Sequence, residues 1–129
     1  FKPRLIRAIR KTSQTDLLEN QPIMVRDLRW DPANLDLIHA GMRDVIEHHE
    51  GTGRAARIPG ILMAAKTGTA EYGQKQAGRN HGWMILFAPF ENPRYAVAMV
   101  MDDALSGGIS LAPRMRQLML EIFEMEGTL

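Results

Sequence analysis

Apolar residues at Leu35, Ile38, Met42, Val45 and Ile46 return to one side of a coil every three or four positions, which predicts a helix with one buried face. Asp31 is a suitable N-cap, and Pro32 takes the first helical position, where a missing N–H costs nothing. The helix ends at "EGTG", Glu50 to Gly53, because glycine readily adopts the left-handed cap conformation. Three strands are predicted next, from Ile61 to Tyr72, from His81 to Phe90 and from Arg94 to Met101. The second is apolar on both alternating faces and reads as a buried central strand, and the connector "FENPR" is short enough to pair it with the third as an antiparallel hairpin. On the third strand Tyr95, Val97, Met99 and Met101 share one face, while Ala96, Ala98 and Val100 form a small face that a helix could approach closely. Pro113 marks the start of that helix, with Met115, Leu118, Met119, Ile122 and Met125 as its stripe. At the front of the chain, Pro3 to Ile9 reads as a short extended segment. The polar stretch "KTSQTDLLENQP" that follows has neither period and predicts a surface loop. The sum is an α+β fold, an antiparallel sheet packed with helices.

Composition changes this picture little. A chain of 129 residues, 45% hydrophobic and 24% charged, is of single-domain size with a real core. Its formal charge of +1 favours neither nucleic acid nor acidic ligands. The basic stretch from Lys2 to Lys11 lacks the aromatic interleaving of a base-stacking surface and reads as a solvated face. With no cysteine there is neither a disulfide framework nor a thiolate metal site. No apolar run has membrane-spanning length and no signal peptide is present; the start at Phe1 suggests a piece of something longer. The nine methionines read as core filling, since a flexible thioether suits irregular gaps.

Chemistry concentrates in "GILMAAKTGTAEYG", Gly60 to Gly73. Gly60, Lys66 and Thr67 match three parts of a phosphate-loop pattern, but Ala65 stands at its second glycine. Such a loop must also run into a helix whose N-terminus faces the anion, and the residues after Thr67 start a helix poorly. The alternative is the K-T-G element of serine acyl transferases acting on D-alanyl peptides and β-lactams. There a strand borders a cleft, with the lysine as a fixed cation near the proton relay and the threonine hydroxyl for a substrate carboxylate. The glycine leaves room for a peptide, and the next main-chain N–H faces the developing oxyanion. Strict alternation sends Lys66 and Thr67 to opposite faces, so periodicity alone does not explain how both serve one cleft. "EHHE", Glu47 to Glu50, reads as a solvated helix end, because adjacent histidines diverge on a helix and the spacing of H-E-x-x-H is absent. His81 and Trp83 read as packing and hydrogen-bonding residues, and Asp102 with Asp103 as a polar strand end rather than a cation site.

In order and spacing, "LDLIHAGMRDVIEHHEGTG", "AAKTGTAEYG", "HGWMILFAPFENPRYAVAMVM" and "SGGISLAPRMRQLMLEIF" resemble the last third of the transpeptidase domain of class B penicillin-binding proteins. The resemblance runs from about Pro3 to Phe123, and the alanine before the lysine and the "APFENPRYAVAM" strand pair lean toward the elongation-type penicillin-binding protein 2 group. It implies the C-terminal portion of a penicillin-binding, serine β-lactamase-like domain over residues 1–129, without cofactor or metal. It also implies catalytic roles for Lys66 (proton relay) and Thr69 (oxyanion N–H), with Thr67, Gly68 and Thr69 binding substrate. Gly51, Thr52 and Gly53 match a helix-ending turn and Ala112 with Pro113 a helix start, both structural; Gln74 to Asn80 matches the loop beside the cleft mouth. The nucleophile's S-x-x-K and the S-x-N motif are absent: Ser13, Ser106 and Ser110 are followed three positions on by Asp16, Ile109 and Pro113 and two positions on by Thr15, Gly108 and Ala112. These residues alone are therefore expected to form no acyl-enzyme and to leave a strand edge and an apolar face uncovered. The implied partners are peptidoglycan stem peptides, β-lactams, the N-terminal portion of the same domain and membrane morphogenesis proteins. The implied setting is a parent anchored in the cytoplasmic membrane with this domain outside it. A penicillin-sensing or scaffolding module of the same fold and a serine β-lactamase are the rival readings.

Overall fold

The computed structural model describes residues 1–12, 15–73 and 79–128, the side chains of 10–12 and 15–17 excepted. The chain divides into two units, Phe1–Asp31 and Pro32–Leu129, each taken by itself below.

The first unit is a hairpin rather than the predicted loop. Strands β1 (Ala8–Thr12) and β2 (Thr15–Glu19) pair antiparallel, with Ile9 opposite Leu18 and Thr12 opposite Thr15; Ser13 and Gln14 lie outside the described residues. Register shifts on both sides of Arg10 explain the miss, because an interrupted ladder destroys the two-residue period on which sequence reading depends. The extended segment Pro3 to Ile9 enters the ladder only at Ala8. Asn20 anchors the hairpin base: its N–H donates to the Arg7 carbonyl at 2.8 Å and its Nδ2 to the Ile6 carbonyl at 2.9 Å.

In the second unit α1 runs Pro32–Glu47, starting at the proline as its fixed φ predicts. A short 3₁₀ turn, Arg54–Ala56, leads to β3 (Ala64–Glu71), β4 (Asn80–Ala88) and β5 (Tyr95–Met101). The three strands form an antiparallel sheet in the order β3-β4-β5. β3 starts later than Ile61, which makes an isolated bridge with Ile58, and β4 stops before Pro89, which has no N–H for a ladder. A wide π-type turn, Gly107–Leu111, opens into α2 (Ala112–Met125).

One face of the sheet holds the core. Met84 and Leu86 of β4, with Met63 and Ala65, are buried together with Leu111, Met115, Met119 and Phe123. The C-terminal helix packs on the Tyr95, Val97, Met99 and Met101 face of β5, with Tyr95 and Phe123 meeting edge to face at 6.0 Å between centroids. This corrects the expectation that it would use the alanine face: the chain leaves β5 through the Gly107–Leu111 turn, which brings α2 back over the larger side chains. The stripe is corrected too. Ala112, Met115, Met119 and Phe123 are its buried members, whereas Leu118 and Met125 are exposed because the helix winds them away from the sheet.

β4 is central, as predicted, but it is buried on one face only. Trp83 and Ile85 on its other face are each 50% exposed, and Val100 beside them on β5 is 52% exposed. α1 covers part of this side. His39 lies edge-on to Phe87 at 5.1 Å, and Met42 joins Ile85, Phe87, Ala96 and Ala98 around an apolar cavity of about 300 Å³. Of the α1 stripe only Ile46 is buried, while Ile38 is exposed. The described residues pair no strand with the outer edge of β5, and none of their helices is long and apolar enough to cross a membrane.

Candidate active-site groove

β3 is an edge strand, and its main-chain polarity follows from its neighbours. The Tyr72 N–H donates to the Arg79 carbonyl at 3.0 Å, and the Leu62 carbonyl accepts from the Phe90 N–H at 2.8 Å. The even-numbered residues therefore face β4 along an unshifted register, and Thr67 and Thr69 turn their N–H and C=O groups to the open edge. Side chains alternate across the sheet. Thr67 and Thr69 stand on the core side, opposite Met84 and Gly82, while Lys66 and Gly68 stand on the other, opposite Ile85 and Trp83. The alternation problem disappears because both faces meet at the free edge. The Lys66 ammonium curls round it to donate to the Thr67 carbonyl oxygen.

A second wall faces this edge. The hydroxyls of Thr52 and Thr67 are hydrogen-bonded at 2.7 Å, and the Gly107 N–H donates to Thr69 Oγ1 at 3.4 Å. The approach needs glycine: a Cβ on Gly107 would stand 2.4 Å from the Trp83 carbonyl oxygen, and one on Gly108 2.1 Å from that of Thr52. A Cβ on Gly68 would meet only Trp83 Cβ at an ordinary 3.6 Å, so packing within this chain does not demand glycine there. Between the walls lies a groove of about 500 Å³, lined by Thr52, Lys66, Thr67, Gly68, Thr69, Ser106, Gly107, Gly108 and Ile109. Among the described lining residues Lys66 is the one that is charged, so the groove combines a cation, neighbouring hydroxyls and outward main-chain N–H groups and suits a ligand carrying a carboxylate.

All four sequence-predicted site residues, Lys66, Thr67, Gly68 and Thr69, thus lie extended on one rim. Thr52, expected to be structural, departs from that expectation: Gly51 is required by its contact with the Val45 carbonyl, but the threonine hydroxyl lines the groove. Ser106, Gly107 and Gly108 were missed as lining residues; the "SGG" run ahead of Pro113 was the available signal. Ser106 Oγ accepts from the Ile109 N–H at 3.1 Å and caps the wide turn.

At the far end of β3 a polar cluster ties the β3–β4 hairpin to the segment after β5. Asp103 accepts from the Tyr72 hydroxyl at 2.7 Å, from Arg79 Nε at 2.9 Å and from Arg79 Nη2 at 3.2 Å. Tyr72 stacks on His81 at 3.8 Å, and His81 Nδ1 lies 2.7 Å from an Asp102 oxygen. The strand end predicted at Asp102 and Asp103 is present, with both carboxylates engaged. The Arg79 and Tyr72 hydrogen bonds hold the Asp103 carboxyl down from 3.8 to about 2, and the same carboxylate raises the Tyr72 phenol and the Arg79 guanidinium. Of the predicted cleft-mouth loop, Gln74 to Gly78 lie outside the described residues, while Arg79 and Asn80 belong to this cluster.

The "EHHE" stretch also departs from the expectation that its adjacent histidines diverge on a helix. α1 stops at Glu47, so His48 and His49 do not diverge, and their rings lie 4.2 Å apart. Donor atoms of His48, His49 and Glu50 fall within 4.8 Å of one another on an exposed turn, but His48 Nδ1 already accepts the Glu50 N–H at 3.2 Å.

Comparison with known proteins bears on the groove. The family described as "Penicillin binding protein transpeptidase domain" matches residues 1–120. The peptidoglycan D,D-transpeptidase MrdA of Salmonella typhimurium is 31% identical over 109 residues, covering 73% of this chain. Among solved structures, Pseudomonas aeruginosa PBP2 in complex with WCK 5153 superposes with a TM-score of 0.63 at 34% identity over 82% of this chain. Helicobacter pylori PBP2, in its complex with MreC, gives 0.56 at 30% identity over 70%. The chain spans 18% of the MrdA relative and 22% and 18% of the two solved chains.

Proposed function

The chain belongs to the penicillin-binding protein transpeptidase domain family, and from that premise we propose that it forms one wall of the active site of a peptidoglycan D,D-transpeptidase. The observation that carries the reading is the edge position of β3, which turns the Thr67 and Thr69 main-chain groups and the Lys66 ammonium into a single groove.

In this reading the rest of the full-length protein supplies the serine. Its oxygen attacks the carbonyl carbon between two D-alanines, and its proton passes to the relay that includes Lys66. Charge gathers on the former carbonyl oxygen, and the Thr69 N–H, already free of the sheet, meets it; one such donor is worth roughly 10²–10³ in rate. The paired hydroxyls of Thr52 and Thr67 hold the terminal carboxylate, and the absent side chain at Gly68 lets the peptide lie against the strand. The C–N bond breaks, D-alanine leaves with the proton, and an amine of a second stem peptide then takes the acyl group from serine. A β-lactam enters by the same attack.

The likeness to MrdA and PBP2 proteins supports an elongation-type role. The full-length protein is then anchored in the cytoplasmic membrane with this domain on its outer side and docks a morphogenesis protein, as the H. pylori complex with MreC suggests. In this reading residues 1–129 are the C-terminal part of the transpeptidase domain, and the half-exposed Trp83, Ile85 and Val100 form the face on which the remainder of the domain sits.

Fluorescent penicillin labelling of the full-length protein beside the 129-residue chain tests this. The expected result is a labelled parent and an unlabelled chain. Covalent label on the chain alone would refute the division of the site, and an unlabelled parent would refute acyl transfer.

A further inference from the structure

We propose that Asp103 is a positioning residue that holds the two walls of the groove in register. This rests on reading the groove as an acyl-transfer site, and it concerns residues outside the K-T-G element. Asp103 has φ +53°, in the left-handed region that a side-chain-bearing residue enters at a cost. Its carboxylate offsets that cost with three hydrogen bonds from the β3–β4 hairpin, two of them a fork from Arg79. The next residue repeats the attachment, since the Ala104 N–H donates to the Asn80 carbonyl at 2.9 Å and its side chain is buried against the bare Cα of Gly82.

Three residues further on, Gly107 lies on the main chain of Gly68 and Trp83 and donates to Thr69 Oγ1. Asp103 therefore fixes the near end of the segment whose far end is the second wall of the groove. The same carboxylate also grips Tyr72, three residues beyond Thr69 and just past the end of β3. Released from Asp103, the 104–108 segment keeps its glycine contacts but loses the anchor that sets its height along β3. The chemistry is sensitive to such a shift, because a misplacement of about 1 Å can cost on the order of a hundredfold.

The test is the kinetics of acylation of the full-length protein by fluorescent penicillin, with the rate constant separated from the labelled amplitude. Amplitude reports the folded fraction, and the rate constant per folded molecule reports positioning. Asp103→Gly removes the carboxylate and relieves the left-handed strain, so it is expected to keep amplitude and thermal midpoint near wild type while the rate constant falls about tenfold. Asp103→Asn tolerates the same φ and keeps part of the bonding, and it should fall about threefold. Tyr72→Phe and Arg79→Lys weaken the grip without touching Asp103 or its φ, and each should slow acylation while preserving amplitude. Unchanged rate constants in Asp103→Gly would overturn the inference, as would a loss confined to amplitude; if that variant does not fold, the Tyr72 and Arg79 variants decide by the same criterion. A wild-type protein that takes no label refutes the underlying reading and this inference with it, whereas a labelled wild type with indifferent variants refutes this inference alone.

Discussion

On one face of the three-stranded sheet Met84 and Leu86 lie fully covered by Met115, Met119 and Phe123, whereas on the other Trp83, Ile85 and Val100 keep about half their surface. Both faces belong to the same strands and both carry apolar side chains, so apolar character alone does not decide which is covered. Connectivity does. α2 follows β5 through a short turn and returns over one face, while the other receives only part of α1. An apolar sheet face half open to water is a surface awaiting a layer, since a sheet is stable when each apolar face is covered.

The largest effect is expected on the closed face. In the full-length protein Phe123→Ala removes the ring that meets Tyr95 and should cost about 3–5 kcal/mol, read from the denaturant midpoint. Loss below about 1 kcal/mol would mean that this core is not closed as described. Ile85→Ala then sharpens the comparison. If the remainder of the domain lies on the open face, this substitution should cost about 2–4 kcal/mol in the full-length protein, close to a core truncation despite the exposure seen in this chain. A cost under about 0.5 kcal/mol would show that the face stays in water, and the proposed coverage would fail.

The contrast also explains what could be read from the sequence. α1 and α2 were legible because each carries a helical stripe and a proline at its start, β4 and β5 because two apolar runs flank a short connector, and K-T-G stood out because an apolar strand preceded it. Which face α2 would take was not legible. The stripe Ala96, Ala98, Val100 and the stripe Tyr95, Val97, Met99 both suit a helix, and only the path of the chain after Met101 chooses between them. The hairpin at β1 and β2 was hidden by its register shifts. Thr52 and the Gly107–Gly108 wall were hidden for another reason: they reach the groove across 15 and 38 positions of sequence, where no local spacing points to them.

The cluster at the sheet's end belongs to neither face, and pH separates it from both. Burial of Phe123 or Ile85 is indifferent to protons, but Asp103 is held near 2 by Arg79 and Tyr72 against an ordinary 3.8. A carboxyl lowered on folding contributes stability that is fully present above its unfolded value and is lost as pH falls through the folded one. The window therefore runs from about pH 4 down to about 2. Tyr72 and Arg79, both shifted upward, keep their protons throughout that window, while His81 and Asp102 face the same cluster and are common to both proteins in the comparison. The measurement is the difference in thermal midpoint between wild type and Asp103→Asn across this range, which cancels the other acids. It should be small, favour wild type, stay constant from neutral pH to about 5, and vanish toward pH 2. A difference that persists unchanged at pH 2 would place its origin in shape rather than in the carboxylate's charge, and the hold on the groove would then lie in the turn and not in the ion pair.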